Sequence, residues 1–164
     1  MNREETCCFS GHREITPEGY PEIERRLTRE VERLFACGVR NFCCGGALGF
    51  DTMAAKAVLR LRESCPQARL VLILPCRDQT KNWSSENRRV YAEILARADA
   101  VEYMAERYTA GCMHRRNRRM VDLSSVCVCC RLRSSGGTAS TVDYALRMGL
   151  SVINLAQAGP ACSP

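Results

Sequence analysis

The chain is poor in aromatic side chains: they make up 6% of its 164 residues, with a single tryptophan. Proteins that hold single-stranded nucleic acid without sequence preference stack its bases on aromatic platforms, and few residues here could build one. Long apolar runs are also missing. No stretch approaches the about 18–20 consecutive apolar residues that a membrane-spanning helix needs, so no contact with a membrane is expected. The opening MNREET is charged and has no apolar segment behind it, unlike a secretory leader, and this points to the cytoplasm. Neither GxGxxG nor GxxxxGK[ST] occurs, which removes the usual dinucleotide fingerprint and the P-loop. No internal repeat or linker is visible, so one domain is expected over residues 1–156, followed by a flexible C-terminal tail at 157–164.

Cysteine, by contrast, is abundant, with twelve in the chain. Most lie in apolar runs (TCCF, NFCC, VCVCC), where a reduced thiol behaves as a small buried hydrophobe. A metal site on Cys127, Cys129 and Cys130 is disfavoured, because adjacent strand residues such as Cys129 and Cys130 point to opposite faces; no metal and no cofactor is expected. The net charge of +6 favours anionic partners. Much of that charge is arginine on helices that also carry glutamate, as in EIERRLTREVERL, and reads as solvated helix surface.

Short apolar runs alternate with amphipathic stretches. TCCFSG (6–11) reads as a strand ending at a glycine. The next stretch, PEIERRLTREVERLFACG, is helical, with Ile23, Leu27, Val31, Leu34 and Phe35 in register and Gly38 just past its end. VRNFCC is a strand and FDTMAAKAVLRLRES a helix. ARLVLILPC is a continuously apolar strand of the kind covered on both faces. Ser84 or Ser85 can cap ENRRVYAEILARA, whose Val90, Ile94 and Leu95 face inward. The short strand DAVEYM, an arginine-rich helix, the strand SVCVCCRL, the helix GTASTVDYALRMG and the strand LSVINLA complete the order. This alternation predicts an α/β fold: a single Rossmann-like domain with a mostly parallel sheet and helices on both faces.

In such sheets ligands bind beyond the carboxyl ends of the strands. Three strand ends here carry small or glycine-rich turns: SGHR (10–13), GGALGFD (45–51) and SSGGTAST (134–141). Together they point to an anionic ligand, since the last two run into helices whose N-terminal amides attract phosphate. Ser10, Gly11, His12 and Arg13 would line the first loop. Gly45, Gly46 and Gly49 would give a phosphate close access to backbone amides. Asp51 either accepts from a ribose hydroxyl or caps the second helix. Ser135, Gly136, Gly137 and Thr138 would form the second phosphate loop. Gln79 and Trp83 follow the third strand, where the tryptophan either stacks on a base or packs under its loop.

The segment GCMHRRNRRM (111–120) places four arginines in five positions. At about 100° per residue, Met113, Arg116, Asn117 and Met120 share one sector, while Arg115, Arg118 and Arg119 fall on the other side as a solvated or nucleic-acid-facing surface. An arginine on the methionine face needs an anionic partner, either a protein carboxylate or a ligand phosphate. Asn117 beside it either bonds a ribose or base or packs between helices.

CCFSGHR, GGALGFDTMAA, LPCRDQ, YTAGCMHRRNRRMVD and SGGTASTVDYA, in this order, resemble the SLOG superfamily (SMF/DprA–LOG), and most closely its YpsA-like branch. The resemblance runs from about Cys7 to Leu155 and implies a Rossmann-like domain that binds or senses a nucleotide-derived small molecule. LOG-type phosphoribohydrolases in the superfamily carry the motifs MHxRKxxM and PGGxGTxxE. MHRRNRRM matches the first, with Arg116 at the catalytic arginine and Asn117 in place of the lysine. SSGGTAST keeps Gly137 and Thr138 but places Thr141 where the catalytic glutamate stands. Cleavage of an N-glycosidic bond normally needs that carboxylate, so the resemblance implies a binding module first and a hydrolase second. The DprA branch implies single-stranded DNA as a third partner. Relatives are often dimers, which leaves a homodimer open.

Overall fold

The computed structural model describes residues 1–156; the expected tail at 157–164 lies outside the described residues. Six strands and five helices alternate along the described residues: β1 (Thr6–Gly11), α1 (Tyr20–Ala36), β2 (Asn41–Cys44), α2 (Phe50–Ser64), β3 (Arg69–Leu74), α3 (Ser85–Arg97), β4 (Ala100–Tyr103), α4 (Cys112–Asp122), β5 (Val126–Cys130), α5 (Gly137–Arg147) and β6 (Ser151–Asn154). The sheet is wholly parallel, in the order β4-β3-β2-β1-β5-β6. From β1 the chain builds outward to β4, then returns to place β5 on the other side of β1. The crevice between β1 and β5 is therefore the topological switch point, where parallel sheets bind ligands.

Burial follows the strand alternation. On one face Cys7, Phe9, Phe42, Cys44, Leu70, Leu72 and Cys130 pack with Leu27, Val31, Met53 and Val58 of α1 and α2. Val90 and Leu95 of α3 lean on the same cluster and Ile94 is buried in it. On the other face Cys8, Cys43, Val71, Cys127 and Cys129 pack with Met120 and Val121 of α4 and with Val142 and Ala145 of α5. Gly38 takes φ +99° beyond α1, the conformation a C′ glycine supplies. Ser84, rather than Ser85, caps α3: its Oγ accepts from the Asn87 amide at 3.2 Å.

The described cysteines are all free thiols, and only Cys37 is exposed, with Cys65 half-buried. Burial pushes the Cys129 thiol up to about 12 and those of Cys7, Cys43 and Cys44 up as well, which suppresses the reactive thiolate. In a Cys162→Ser background, a thiol-reactive chromogen should modify Cys37 quickly and Cys65 more slowly. The sheet cysteines should react only on unfolding; reaction at the rate of Cys37 in the native protein would contradict this packing.

Candidate functional site

Arg116 lies on the inward face of α4, as the helical spacing predicts, and is 6% exposed. It reaches across the carboxyl edge of the sheet to the loop after β2, where its Nη1 donates to the Gly45 carbonyl and lies 3.5 Å from Asp51 Oδ2. The protein itself thus supplies the carboxylate that such an arginine requires. Asp51 neither caps α2 nor points to solvent. It is 5% exposed, and its Oδ2 also accepts from the Ala47 amide at 3.2 Å. Burial pushes the Asp51 carboxyl upward against the pull of Arg116, and pushes the guanidinium downward against the pull of Asp51. Among the described residues, Arg116 Nε has no hydrogen-bond partner, an unusual state for a buried donor.

Arg116 and Asp51 line a cleft of about 240 Å³, with Ser10, Arg13, Gly137 and Thr138 around them. Gly11, His12 and Asn117 complete the part of this wall drawn from the expected site. The three loops singled out by sequence therefore meet, but their glycines do different work. A Cβ on Gly45 would lie 1.6 Å from Arg116 Nη1, one on Gly46 would lie 2.5 Å from Leu74, and one on Gly49 would lie 2.2 Å from the Arg13 carbonyl oxygen. None of these three is on the cleft wall: each makes room for a neighbour's packing. Two amides of this segment are also taken, that of Ala47 by Asp51 and that of Phe50 by the His12 carbonyl at 3.1 Å. The start of α5 differs. Its N-cap Gly136 (φ +96°) provides no side-chain cap, and nothing lies within 4 Å of where a Cβ on Gly136 or Gly137 would sit. Ser135 precedes it, exposed. Uncapped helix amides with open space before them suit an anion.

Asn117 Nδ2 donates to Thr141 Oγ1 at 2.8 Å, and that hydroxyl donates to the Gly137 carbonyl at 2.8 Å. At the position of the LOG glutamate there is thus a hydroxyl committed to the α4–α5 contact. Of the outer arginines of α4, Arg119 alone is neutralised by a carboxylate among the described residues. Arg119 is half-buried and pairs with Glu102 of β4 at 2.9 and 3.2 Å, Arg115 bonds Thr109, and Arg118 lies over the Tyr144 ring. The wheel places them on one side correctly: Arg115 and Arg118 are exposed there, while Glu102 holds Arg119.

Gln79 and Trp83 do not line the inner cleft. They border an adjoining cleft of about 660 Å³ that shares Arg13, Ala47 and Met113 with it. Trp83 meets Tyr91 edge-on, at 5.6 Å between ring centroids. Tyr108, not singled out by the sequence, also lies on this second cleft and is 63% exposed. The only signal for it was a large aromatic residue in a loop beside the arginine helix.

His12 Nε2 accepts from the Leu132 amide at 3.2 Å. Burial, aided by the nearby Arg133, lowers its pKa below the usual histidine range. A base with a depressed folded pKa contributes stability above about 6.5 that is lost as pH falls toward the folded value. Titration followed by imidazole NMR should therefore find His12 below 6.5, with the Leu132 amide resonance shifting in step. An amide that ignores the titration would show that the bond is not made in solution.

The YpsA family model, described as the YspA SLOG family, matches residues 10–144. A UPF0398 protein of Bacillus pumilus is 35% identical over 86 residues, covering 52% of this chain and 44% of that protein. The SPbeta prophage-derived protein YoqJ of Bacillus subtilis is 28% identical over 135 residues and 75% of each chain. This chain thus spans less than half the length of the first of these relatives. Among solved structures, DNA processing protein A (DprA) of Streptococcus pneumoniae superimposes with a TM-score of 0.66 at 17% identity, over 91% of this chain and 49% of its own. DprA of Helicobacter pylori, described with a single-stranded DNA binding mode, gives 0.67 at 21% identity, over 92% of this chain and 64% of its own. Those likenesses establish a shared fold, and the match over 10–144 goes further: the chain belongs to the YpsA family of SLOG proteins.

Proposed function

We propose that the inner cleft binds a nucleotide-derived small molecule by a phosphate placed between Arg116 and the start of α5. The observation that carries this reading is the unsatisfied Nε of a guanidinium that is almost wholly buried, on the wall of a cleft at the switch point. A buried donor without a partner is costly, and a ligand oxygen that draws the guanidinium toward the cleft would remove that cost. Arg13 supports the reading: it is exposed, has no ion-pair partner among the described residues, and leaves the cleft with two cations against one carboxylate.

Binding without hydrolysis is favoured because Asp51 is, among the described residues, the only carboxylate on the cleft wall and is already held by Arg116 and the Ala47 amide. A general acid or a stabiliser of an oxocarbenium ion would need a freer group. Incubation with AMP, ADP-ribose and NAD, read by native mass spectrometry, should find retained ligand and no released base. Arg13→Ala, which removes an exposed side chain, should weaken retention about tenfold, as loss of a charge-assisted contact does. Release of free base would replace this reading by a phosphoribohydrolase. Failure of every nucleotide to bind, with retention of an oligothymidylate, would replace it by single-stranded DNA binding.

A further inference from the structure

We infer that the ligand is longer than a mononucleotide: its planar base lies in the outer cleft beside Trp83 and Tyr108, and a diphosphate passes Arg13 to a sugar phosphate in the inner cleft. This rests on the preceding reading of the inner cleft and extends it. The first observation is size and continuity. The inner cleft, at about 240 Å³, is smaller than most nucleotide-sized sites, whereas the outer one is about 660 Å³ and shares Arg13, Ala47 and Met113 with it. Arg13 stands at that junction with its guanidinium uncommitted among the described residues. An uncommitted cation between two compartments suits a charged bridge.

The second observation is the construction of the outer wall. It is tied together from loops distant in sequence. Asp78 Oδ1 accepts from the Tyr108 amide at 2.8 Å, and Arg77 pairs with Glu106 at 3.0 and 3.1 Å. Gln79 Nε2 donates to the Gly46 carbonyl at 3.4 Å. These bonds place the backbone of a tyrosine that is 63% exposed, in a chain with few aromatic residues, beside the same cleft as its only tryptophan. Covering the exposed ring of Tyr108 with a ligand would remove apolar surface from water, which is favourable. A heteroaromatic ring stacks on such a surface without needing a particular hydrogen-bond pattern, and Gln79 and Asn82 on the same wall can meet its edge.

Isothermal titration of the intact chain with ADP-ribose, AMP and ribose 5-phosphate tests this. ADP-ribose should bind at least about tenfold more tightly than either fragment, the gain expected from one stacked base or one added phosphate contact. Tyr108→Ala removes only an exposed side chain; it should reduce ADP-ribose toward the affinity of ribose 5-phosphate and leave ribose 5-phosphate unchanged. Trp83→Ala should act in the same direction. Equal affinity for ADP-ribose and ribose 5-phosphate would overturn the two-cleft ligand and leave the inner-cleft reading standing, as would an unaltered ADP-ribose affinity in both variants. Absence of binding by all three compounds would overturn both.

Discussion

Gly49→Ala should lose about 3 kcal/mol or more of stability, while Gly149→Ala, at nearly the same φ, should lose only about 1–2 kcal/mol. Gly49 has φ +74° with ψ −118°, a region that glycine alone adopts readily, and Gly149 has φ +76°, so an alanine is strained at both. They differ in what the new methyl group meets. At Gly149 nothing lies within 4 Å, whereas at Gly49 the Arg13 carbonyl oxygen would be 2.2 Å away and that of His12 2.7 Å away. Those oxygens belong to backbone, which cannot swing aside. The His12 carbonyl also accepts the Phe50 amide, so relieving the clash breaks the contact that seats the first loop on α2. Denaturant unfolding of both variants measures the difference. Equal losses would show that the two loops do not touch in solution.

The second large effect is expected at Arg116. Removing one partner of a buried ion pair costs about 3–5 kcal/mol, because the other charge is left without compensation. In Arg116→Ala that remaining charge is Asp51, whose carboxyl burial already pushes upward. An acid whose folded pKa is raised contributes stability that is complete below its unfolded value, about 3.9, and lost as pH rises through the folded value. The variant should therefore lie closer to the wild type at about pH 5 than at about pH 8. The double change Arg116→Met with Asp51→Asn should recover much of the loss, since asparagine keeps an acceptor for the Ala47 amide while no charge stays buried. A pH-independent deficit, or a double variant as weak as the single, would mean that Asp51 is not held as a charged partner.

Much of this molecule was legible along the chain, for reasons that differ between its parts. β1 (Thr6–Gly11) and α2 (Phe50–Ser64) match their sequence reading residue for residue, because a glycine marks one end of each and a short apolar run or a helical period fills it. The other strands come out shorter than their apolar runs: VRNFCC predicts a strand from 39, but β2 begins at Asn41, since pairing ends where the neighbouring strand ends. Helix periodicity also isolated Arg116 from its three neighbours. It could not name Asp51 as the partner, since 65 positions separate them along the chain.

The sequence by itself determined the alternation of strand and helix, the two buried faces of the sheet, and the buried arginine of α4, because each follows from local periodicity and from the cost of burying an unpaired charge. The tertiary structure alone decided that the glycines of 45–49 serve close packing, that Glu102 takes Arg119, that α5 offers the uncapped start, and that Tyr108 stands beside Trp83. Those are matters of which loops meet at the carboxyl edge of the sheet. That is set by strand order and crossover, which place residues far apart in sequence against one another.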